Sequence, residues 1–194
     1  MNSVISLASY VADRWLPAGG GAPLVSAIDG SVVAEMPGNT DPQALLDHAR
    51  KVGGPALRGM TFQQRGKMLR ALADALTARK EELYNLSFLT GATRGDNMFD
   101  IDGGIGTLFV YASKAKGLPD AHVMADGGRE AISKGNFAGQ HILAPLTGVA
   151  VHINAYNFPV WGMLEKLAPT LLAGMPAIVK PAAVGSYLTQ AAFR

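Results

Sequence analysis

Residues 148–182, GVAVHINAYNFPVWGMLEKLAPTLLAGMPAIVKPA, decide the fold. Gly148-Val149-Ala150-Val151-His152-Ile153 is a β-branched, mostly apolar run, the pattern of a strand covered on both faces. Phe158 to Leu172 carries apolar residues at helical spacing through Trp161, Leu164, Leu167 and Leu171, and Gly174 is a natural stop. Ala177-Ile178-Val179-Lys180 reads as a second strand of the same buried type, and a further helix starts at Tyr187. Strand, helix, strand in this order predicts a parallel pair joined by a right-handed crossover. One such unit cannot close a doubly wound sheet, and Arg194 falls early in a helix. The expectation is therefore an α/β chain with an incomplete doubly wound parallel sheet of Rossmann type, preceded by β-hairpins and helices.

Upstream, residues 8–36 read as short strands. Tyr10-Val11-Ala12 and Trp15-Leu16 precede Gly19-Gly20-Gly21, and Val25–Ile28 and Val32–Glu35 flank Asp29-Gly30, a hairpin signal. Thr40-Asp41-Pro42-Gln43 predicts a helix start, with the threonine as cap. Thr61 and Gln64 form a second capping-box pattern. Leu69, Leu72, Ala73 and Leu76 then give one apolar stripe that leaves Arg65, Lys67, Arg70, Asp74 and Arg79 to solvent. This helix is expected to run to about Thr90 and stop at Gly91. A further helical stretch covers about Asp100 to Lys116, and residues 129–145 read as a hairpin around Gly135-Asn136.

The bulk numbers exclude several classes. In 194 residues, 48% hydrophobic and 16% charged with net charge +2, a core can form, and no basic block of the kind that grips nucleic acid stands out. Cysteine is absent, which rules out disulfides, thiolate metal sites and a thiol nucleophile within these residues. His48, His122, His141 and His152 lack metal-ligand spacing, so no metal is expected. Met1 to Leu7 lack the charged start and cleavage site of a secretory leader, and Glu165 and Lys166 interrupt the most apolar region. A cytoplasmic protein without a membrane partner is the expectation.

In a parallel sheet, ligands bind beyond the carboxyl ends of the strands. Asn154-Ala155-Tyr156-Asn157-Phe158-Pro159 lies at that end of the first strand and Lys180-Pro181-Ala182 at that end of the second, so both should face one crevice. There a lysine can hold a phosphate or a ribose hydroxyl, and an asparagine amide can donate to a developing oxyanion. Taken alone, Asn157 reads as an ordinary turn residue and Lys180 as a solvated strand end. Gly103-Gly104-Ile105-Gly106 lacks a preceding apolar strand and a third glycine, so it reads as close helix packing rather than a dinucleotide loop. Glu165 reads as a surface or ion-pair residue, and Asp100 and Asp102 fall on different helix faces, against paired acid–base work.

These segments, with Lys166-Leu167-Ala168-Pro169, Ala173-Gly174-Met175-Pro176 and Val179-Lys180-Pro181-Ala182, resemble the aldehyde dehydrogenase superfamily over almost the whole chain. A narrower resemblance is to the dehydrogenase half of the bifunctional enzymes of phenylacetate degradation. It is carried by Pro55-Ala56-Leu57-Arg58, Thr90-Gly91-Ala92-Thr93-Arg94 and Asp102–Phe109, with Trp161-Gly162-Met163-Leu164-Glu165-Lys166. The dehydroadipyl-CoA semialdehyde dehydrogenases of benzoate degradation are the competing match. The resemblance implies that Asn157 stabilises the oxyanion by its side-chain amide and that Lys180 contacts the adenosine ribose. Ile153, Asn154, Ala155 and Tyr156 would form the cofactor wall, Tyr156 standing where the family usually has tryptophan, with Ala182 and Ala183 beside Lys180. Ala183 occupies a position where many NAD-dependent members carry glutamate. Losing that carboxylate removes repulsion toward a 2′-phosphate, so NADP is expected, with NAD as the other choice.

The same resemblance implies a division into residues 1–127, the first part of a cofactor-binding domain, an oligomerisation hairpin at 128–146, and the first βαβ unit at 147–194. The catalytic domain, with its cysteine and general-base glutamate, and the pyrophosphate-binding turn lie in segments not found here. The expected function is the N-terminal part of an NAD(P)-dependent dehydrogenase that oxidises a small, CoA-linked semialdehyde and self-associates when complete. The other reading is a short, catalytically dead homologue that acts as a binding or oligomerisation module.

Overall fold

The computed structural model describes residues 3–194; Met1 and Asn2, part of the segment read above for a leader, lie outside the described residues. Strand β1 (Ile5–Ser6) pairs in parallel with β5 (Val32–Pro37), which pairs antiparallel with β4 (Gly20–Val25). Between them β2 (Tyr10–Val11) and β3 (Arg14–Trp15) make a small hairpin. The hairpin expected at Asp29-Gly30 forms, but its turn spans Ser26 to Ser31, with Val25 opposite Val32. Ser26 N–H still donates across to Ser31 O, but Ala27 N–H turns to Leu89 O and Ile28 leaves the ladder. The Ser26 hydroxyl accepts from Ile28 N–H at 3.1 Å, and the Asp29 carboxylate accepts from Ser31 N–H at 3.1 Å.

Helix α1 (Pro42–His48) is capped by Asp41, not Thr40: the Asp41 carboxylate accepts from Gln43 N–H, while the Thr40 hydroxyl donates to Ser9. Pro42 explains the shift, because the residue before a proline is held extended, the conformation a cap needs. The short helix α2 (Gly54–Arg58) follows. The Thr61–Gln64 box forms in both directions and starts α3 (Phe62–Ala78), which buries Leu69, Ala73 and Leu76 as read. The run to Thr90 is not one helix. It breaks at Arg79, resumes as α4 (Lys80–Ser87), and ends in one tight turn at Gly91, whose φ is +85°. None of Thr77 to Lys80 is buried, so no packing holds the ladder straight there, and the break sets Leu83 and Tyr84 into the core.

The next helical stretch starts earlier than Asp100. Thr93 and Asp96 make another capping box at α5 (Arg94–Asn97). A wide π-type turn at Met98–Asp102 leads into α6 (Gly103–Ala115). Strands β6 (Met124–Ala131) and β7 (Ala138–Leu143) form the expected antiparallel hairpin, beginning five residues before 129. Then β8 (Ala150–Ile153), α7 (Pro159–Leu172) and β9 (Ala177–Lys180) form the βαβ unit, its strands parallel with Ile153 opposite Lys180. Helix α8 (Ser186–Phe193) closes the described chain. The strands are not covered on both faces, contrary to the β-branched pattern. His152 is buried, whereas Val151 and Ile153 are 56% and 71% exposed, because α7 packs on one side only. Among the described residues no helix is long and apolar enough to cross a membrane.

Helices α3, α6 and α7 make the core through close backbone approach. A Cβ at Gly66 would stand 2.3 Å from the Ala115 side chain, and one at Gly104 would stand 2.9 Å from Trp161 Cα. The Gly103-Gly104 pair is thus a packing device, as the missing strand before it implied.

Arg65 overturns its solvent assignment. It is fully buried against the Phe62 ring, with its guanidinium carbon 4.6 Å from the ring centroid. Its Nε donates to Leu172 O at 2.8 Å, and its Nη1 donates to Leu57 O at 3.0 Å and Met60 O at 2.7 Å. Leu172 O is at the end of α7, and Leu57 O and Met60 O lie at and just beyond the end of α2, where the helix dipoles are negative. Burial pulls the Arg65 pKa down, yet guanidinium stays charged at neutral pH. Gly174 completes the joint, since its φ is +84° and a Cβ there would lie 2.8 Å from Arg65 Nη1. Arg65→Met should lose about 3 kcal/mol in urea unfolding, since the buried Leu172 O and the part-buried Met60 O lose their donor and Leu57 O loses one of its donors. Arg65→Lys should recover only part, because one ammonium cannot span both helix ends. A loss below about 0.5 kcal/mol for the Met variant, the range of an ordinary surface change, would contradict the clamp.

Candidate active site

The carboxyl ends of β8 and β9 lie side by side, as the βαβ reading requires. Asn154 N–H donates to Lys180 O at 3.1 Å, extending the ladder beyond the strands. Gly185 then sits against Pro159, so the turn after β9 touches the start of α7. Asn154–Asn157 and Lys180–Ala183 therefore share one edge of the sheet. Ile153 and Tyr156 are 71% and 72% exposed there, Lys180 is exposed, and Ala182 and Ala183 bring no acid to the turn. An exposed apolar and aromatic surface beside a free cation suits a planar base and a phosphate or ribose, so these residues fit a nicotinamide dinucleotide.

Asn157 lies apart from that group. It lines an open cavity of about 340 Å³ together with Ala155, Phe158, Trp161, Gly162, Glu165 and Lys166. Lys180, Ile153, Tyr156, Ala182 and Ala183 do not line it. The Asn157 amide is thus set apart from the exposed surface at Ile153, Tyr156 and Lys180, and Ala155, assigned to the cofactor wall, lies instead in the Asn157 cavity. The larger cavity, about 740 Å³, is walled by Ile5, Arg79, Glu82, Tyr187 and Arg194 and holds none of these residues.

Glu165 and Lys166 pair at 3.0 Å, the ion pair foreseen for Glu165, and Lys166 also donates to Gly162 O at 2.7 Å. Their place in the wall of the Asn157 cavity was not foreseen. It follows from helical spacing, since Trp161 and Glu165 stand four residues apart. Asn154, assigned to the cofactor wall, is instead buried with His152 on the α7 side of the sheet, and neither its amide nitrogen nor its oxygen has a partner. Strand alternation decides this, because residues 152 and 154 share a face opposite to 151 and 153. His152 accepts or donates at Thr170 Oγ1 over 3.2 Å. Burial, and then the Lys166 charge, push its pKa below the usual range, so it is neutral at pH 7.

Asp100 and Asp102 do part company. Asp102 accepts from the Tyr84 hydroxyl and lies 3.4 Å from Lys80 Nζ. Burial first, then that hydrogen bond, raise the Tyr84 pKa to about 12. Asp100 is buried at the start of α7, where its Oδ1 accepts from Val160 N–H at 3.0 Å and Trp161 N–H at 2.7 Å. The residue in the capping position, Phe158, offers no oxygen and is held left-handed at φ 52°, ψ 56°. That conformation costs about 1–2 kcal/mol for a residue with a Cβ. Two hydrogen bonds to a carboxylate, each about 1.5–3 kcal/mol, outweigh it. Sequence reading missed this role of Asp100. The available signal was Phe158-Pro159 at a helix start, which leaves the next two N–H groups without a local cap. Among the described residues no group of acidic or histidine side chains is placed to hold a metal ion.

The sequence profile of the aldehyde dehydrogenase family matches residues 15–194. The 3,4-dehydroadipyl-CoA semialdehyde dehydrogenase of Aromatoleum evansii is 43% identical over 190 residues, which is 96% of this chain and 37% of that protein. A putative aldehyde dehydrogenase from Burkholderia cenocepacia superimposes with TM-score 0.83 at 25% identity, covering 97% of this chain and 38% of that one. Betaine aldehyde dehydrogenase from Staphylococcus aureus, solved as a point mutant with NAD+, superimposes with TM-score 0.81 at 23% identity over 97% of this chain and 38% of that one. This chain spans roughly a third of the length of the curated relatives it matches, 37% and 32% for the first two.

Burial raises the Asp100 pKa from 3.8 to about 6, against the opposing pull of the Trp161 and Val160 N–H groups. An acid whose folded-state pKa lies above its unfolded value binds its proton more tightly when folded. Its contribution to stability is full below the unfolded pKa and is lost as pH rises through the folded one. Relative to Asp100→Asn, the wild type should therefore lose about 2–3 kcal/mol between pH 4 and pH 7 in urea unfolding. Parallel pH profiles for the two proteins would rule the buried charge out.

Proposed function

Because the chain belongs to the aldehyde dehydrogenase family, matching it over residues 15–194, we propose that these residues form the cofactor wall and oxyanion amide of an NAD(P)-dependent semialdehyde dehydrogenase. The observation that carries the reading is the parallel β8–β9 pair with Asn157 on one side of its carboxyl edge and Lys180 on the other. An aldehyde whose carbonyl lies at the Asn157 amide has its tail along Trp161, Gly162 and the Glu165–Lys166 pair. As negative charge grows on the carbonyl oxygen, the amide N–H donates to it. Ile153, Tyr156, Lys180, Ala182 and Ala183 would hold the dinucleotide, which when bound supplies the hydride acceptor. Asn154 supports this wall from the covered side of the sheet.

These 194 residues contain no cysteine. The thiolate that attacks the carbonyl, and the base that assists hydrolysis of the resulting thioester, belong to other parts of the enzyme, so the isolated chain is inactive as a dehydrogenase. A CoA-linked semialdehyde of aromatic-acid degradation, phenylacetate included, is the proposed substrate. The 43% identity to a CoA-semialdehyde dehydrogenase supports that class. The β6–β7 hairpin, exposed along nearly its whole length with Ile132 and Phe137 at 68% and 72%, is the proposed self-association element. The three functional divisions follow: residues 1–127 and 147–194 for the cofactor, 128–146 for assembly.

In the polypeptide encoded through the codons beyond Arg194, Asn157→Ala should lower kcat on such a semialdehyde by about 10²–10³ with cofactor affinity unchanged. Absence of turnover in the wild type would sink the dehydrogenase reading in favour of a binding module, and an Asn157→Ala variant with unchanged kcat would remove Asn157 from the oxyanion role. Ala183 sets the second expectation. NADP should bind that enzyme at least about tenfold more tightly than NAD, and Ala183→Glu should reverse the order by placing a carboxylate against the 2′-phosphate. Equal dissociation constants for the two cofactors in the wild type would defeat it.

A further inference from the structure

We propose that Asp100 is a positioning residue for Asn157: it supplies the helix cap that Phe158 cannot, and thereby fixes the direction of the Asn157 amide. The inference rests on the reading of Asn157 as the oxyanion donor.

A helix start normally has an extended capping residue whose side-chain oxygen accepts from the second or third N–H of the helix. At α7 that place holds Phe158, left-handed and without an oxygen, followed by Pro159, which has no N–H. The first available donors, Val160 and Trp161, both turn to Asp100, 60 residues before Val160. Asp100 reaches them from the π-type turn Met98–Asp102, a wide turn of a kind that recurs at functional sites. On its other side the same backbone meets Gly104, where a Cβ would stand 2.9 Å from Trp161 Cα and 3.1 Å from Trp161 N. The first turn of α7 is thus held between a carboxylate and a bare glycine surface.

Asn157 immediately precedes Phe158, so rotation at Phe158 swings the Asn157 amide. A left-handed phenylalanine persists only while its surroundings hold it. Without the carboxylate, Phe158 relaxes to the extended conformation usual for a cap, and Asn157 turns away from the carbonyl position. Misplacement of a catalytic donor by about 1 Å lowers the rate on the order of a hundredfold.

In the enzyme that carries the catalytic thiol, Asp100→Ala is expected to lower kcat on the order of a hundredfold, with the cofactor KM within about twofold. NMR couplings at Phe158 in the 194-residue chain should show it leaving the left-handed region. Asp100→Asn retains an acceptor oxygen and should restore most of kcat and the Phe158 conformation. A role in stability alone would leave the folded Ala variant with normal kcat and Phe158 unmoved, and that result overturns the proposal. If the Ala variant does not fold, Gly104→Ala displaces Trp161 with Asp100 intact. A folded Gly104→Ala enzyme with kcat within about twofold of wild type equally overturns it. Absence of turnover in the wild-type enzyme instead defeats the dehydrogenase reading, while the Phe158 couplings still decide what Asp100 holds.

Discussion

Helix α7 is gripped at its two ends by buried charges that come from other helices. Asp100 accepts the N–H groups of Val160 and Trp161 at the start, and Arg65 donates to the carbonyl of Leu172 at the finish. Each charge has the sign favoured by its end of the helix dipole. Among the described residues neither is paired with an opposing side chain; Asp100 accepts backbone N–H groups, and Arg65 donates through Nε and Nη1 to backbone carbonyls while its buried Nη2 has no partner. A slide or rotation of α7 would strand a buried charge, at several kcal/mol. The rest of the βαβ unit inherits that fixity, because β8 and β9 are the chain before and after α7.

The grip works because α3 and α6 come close enough to deliver it. Gly66 lets α3 meet Ala115, and Gly104 lets α6 meet the backbone of Trp161. With any larger residue at either place the helices would separate and the carboxylate would fall short of its two N–H groups. Packing density and the geometry of the candidate site are therefore one constraint. The strain at Phe158 sits where that constraint is tightest, directly beside the amide that the chemistry would use.

Covered and open surfaces divide the unit functionally. His152 and Asn154 face α7, while Val151, Ile153 and Tyr156 stay exposed with Lys180 at the same carboxyl edge. On the proposed reading, the exposed surface would carry the dinucleotide and the Asn157 cavity the aldehyde. The β6–β7 hairpin adds a third exposed surface.

Much of this was legible in the chain. The Thr61–Gln64 box, the Leu69–Leu76 stripe, the parallel strands around α7, the stops at Gly91 and Gly174 and the edge shared by Asn157 and Lys180 were all written in local spacing. Such signals involve residues a few positions apart, whose relation is set by helix or strand geometry before any tertiary contact forms. Burial of Arg65, the break at Arg79, the exposure of Val151 and Ile153, the inward turn of Asn154 and the capping of α7 by Asp100 were not. Each depends on which surface arrives from far along the chain. Arginine on a helix reads as solvated until carbonyls from two other helix ends surround it, and a β-branched strand reads as doubly covered until only one helix packs on it. Sequence determined the elements, their order and the chemistry at the strand ends. Tertiary structure decided which charges are buried and which helix ends they hold, because the free energy of a buried polar group is set by its distant partners.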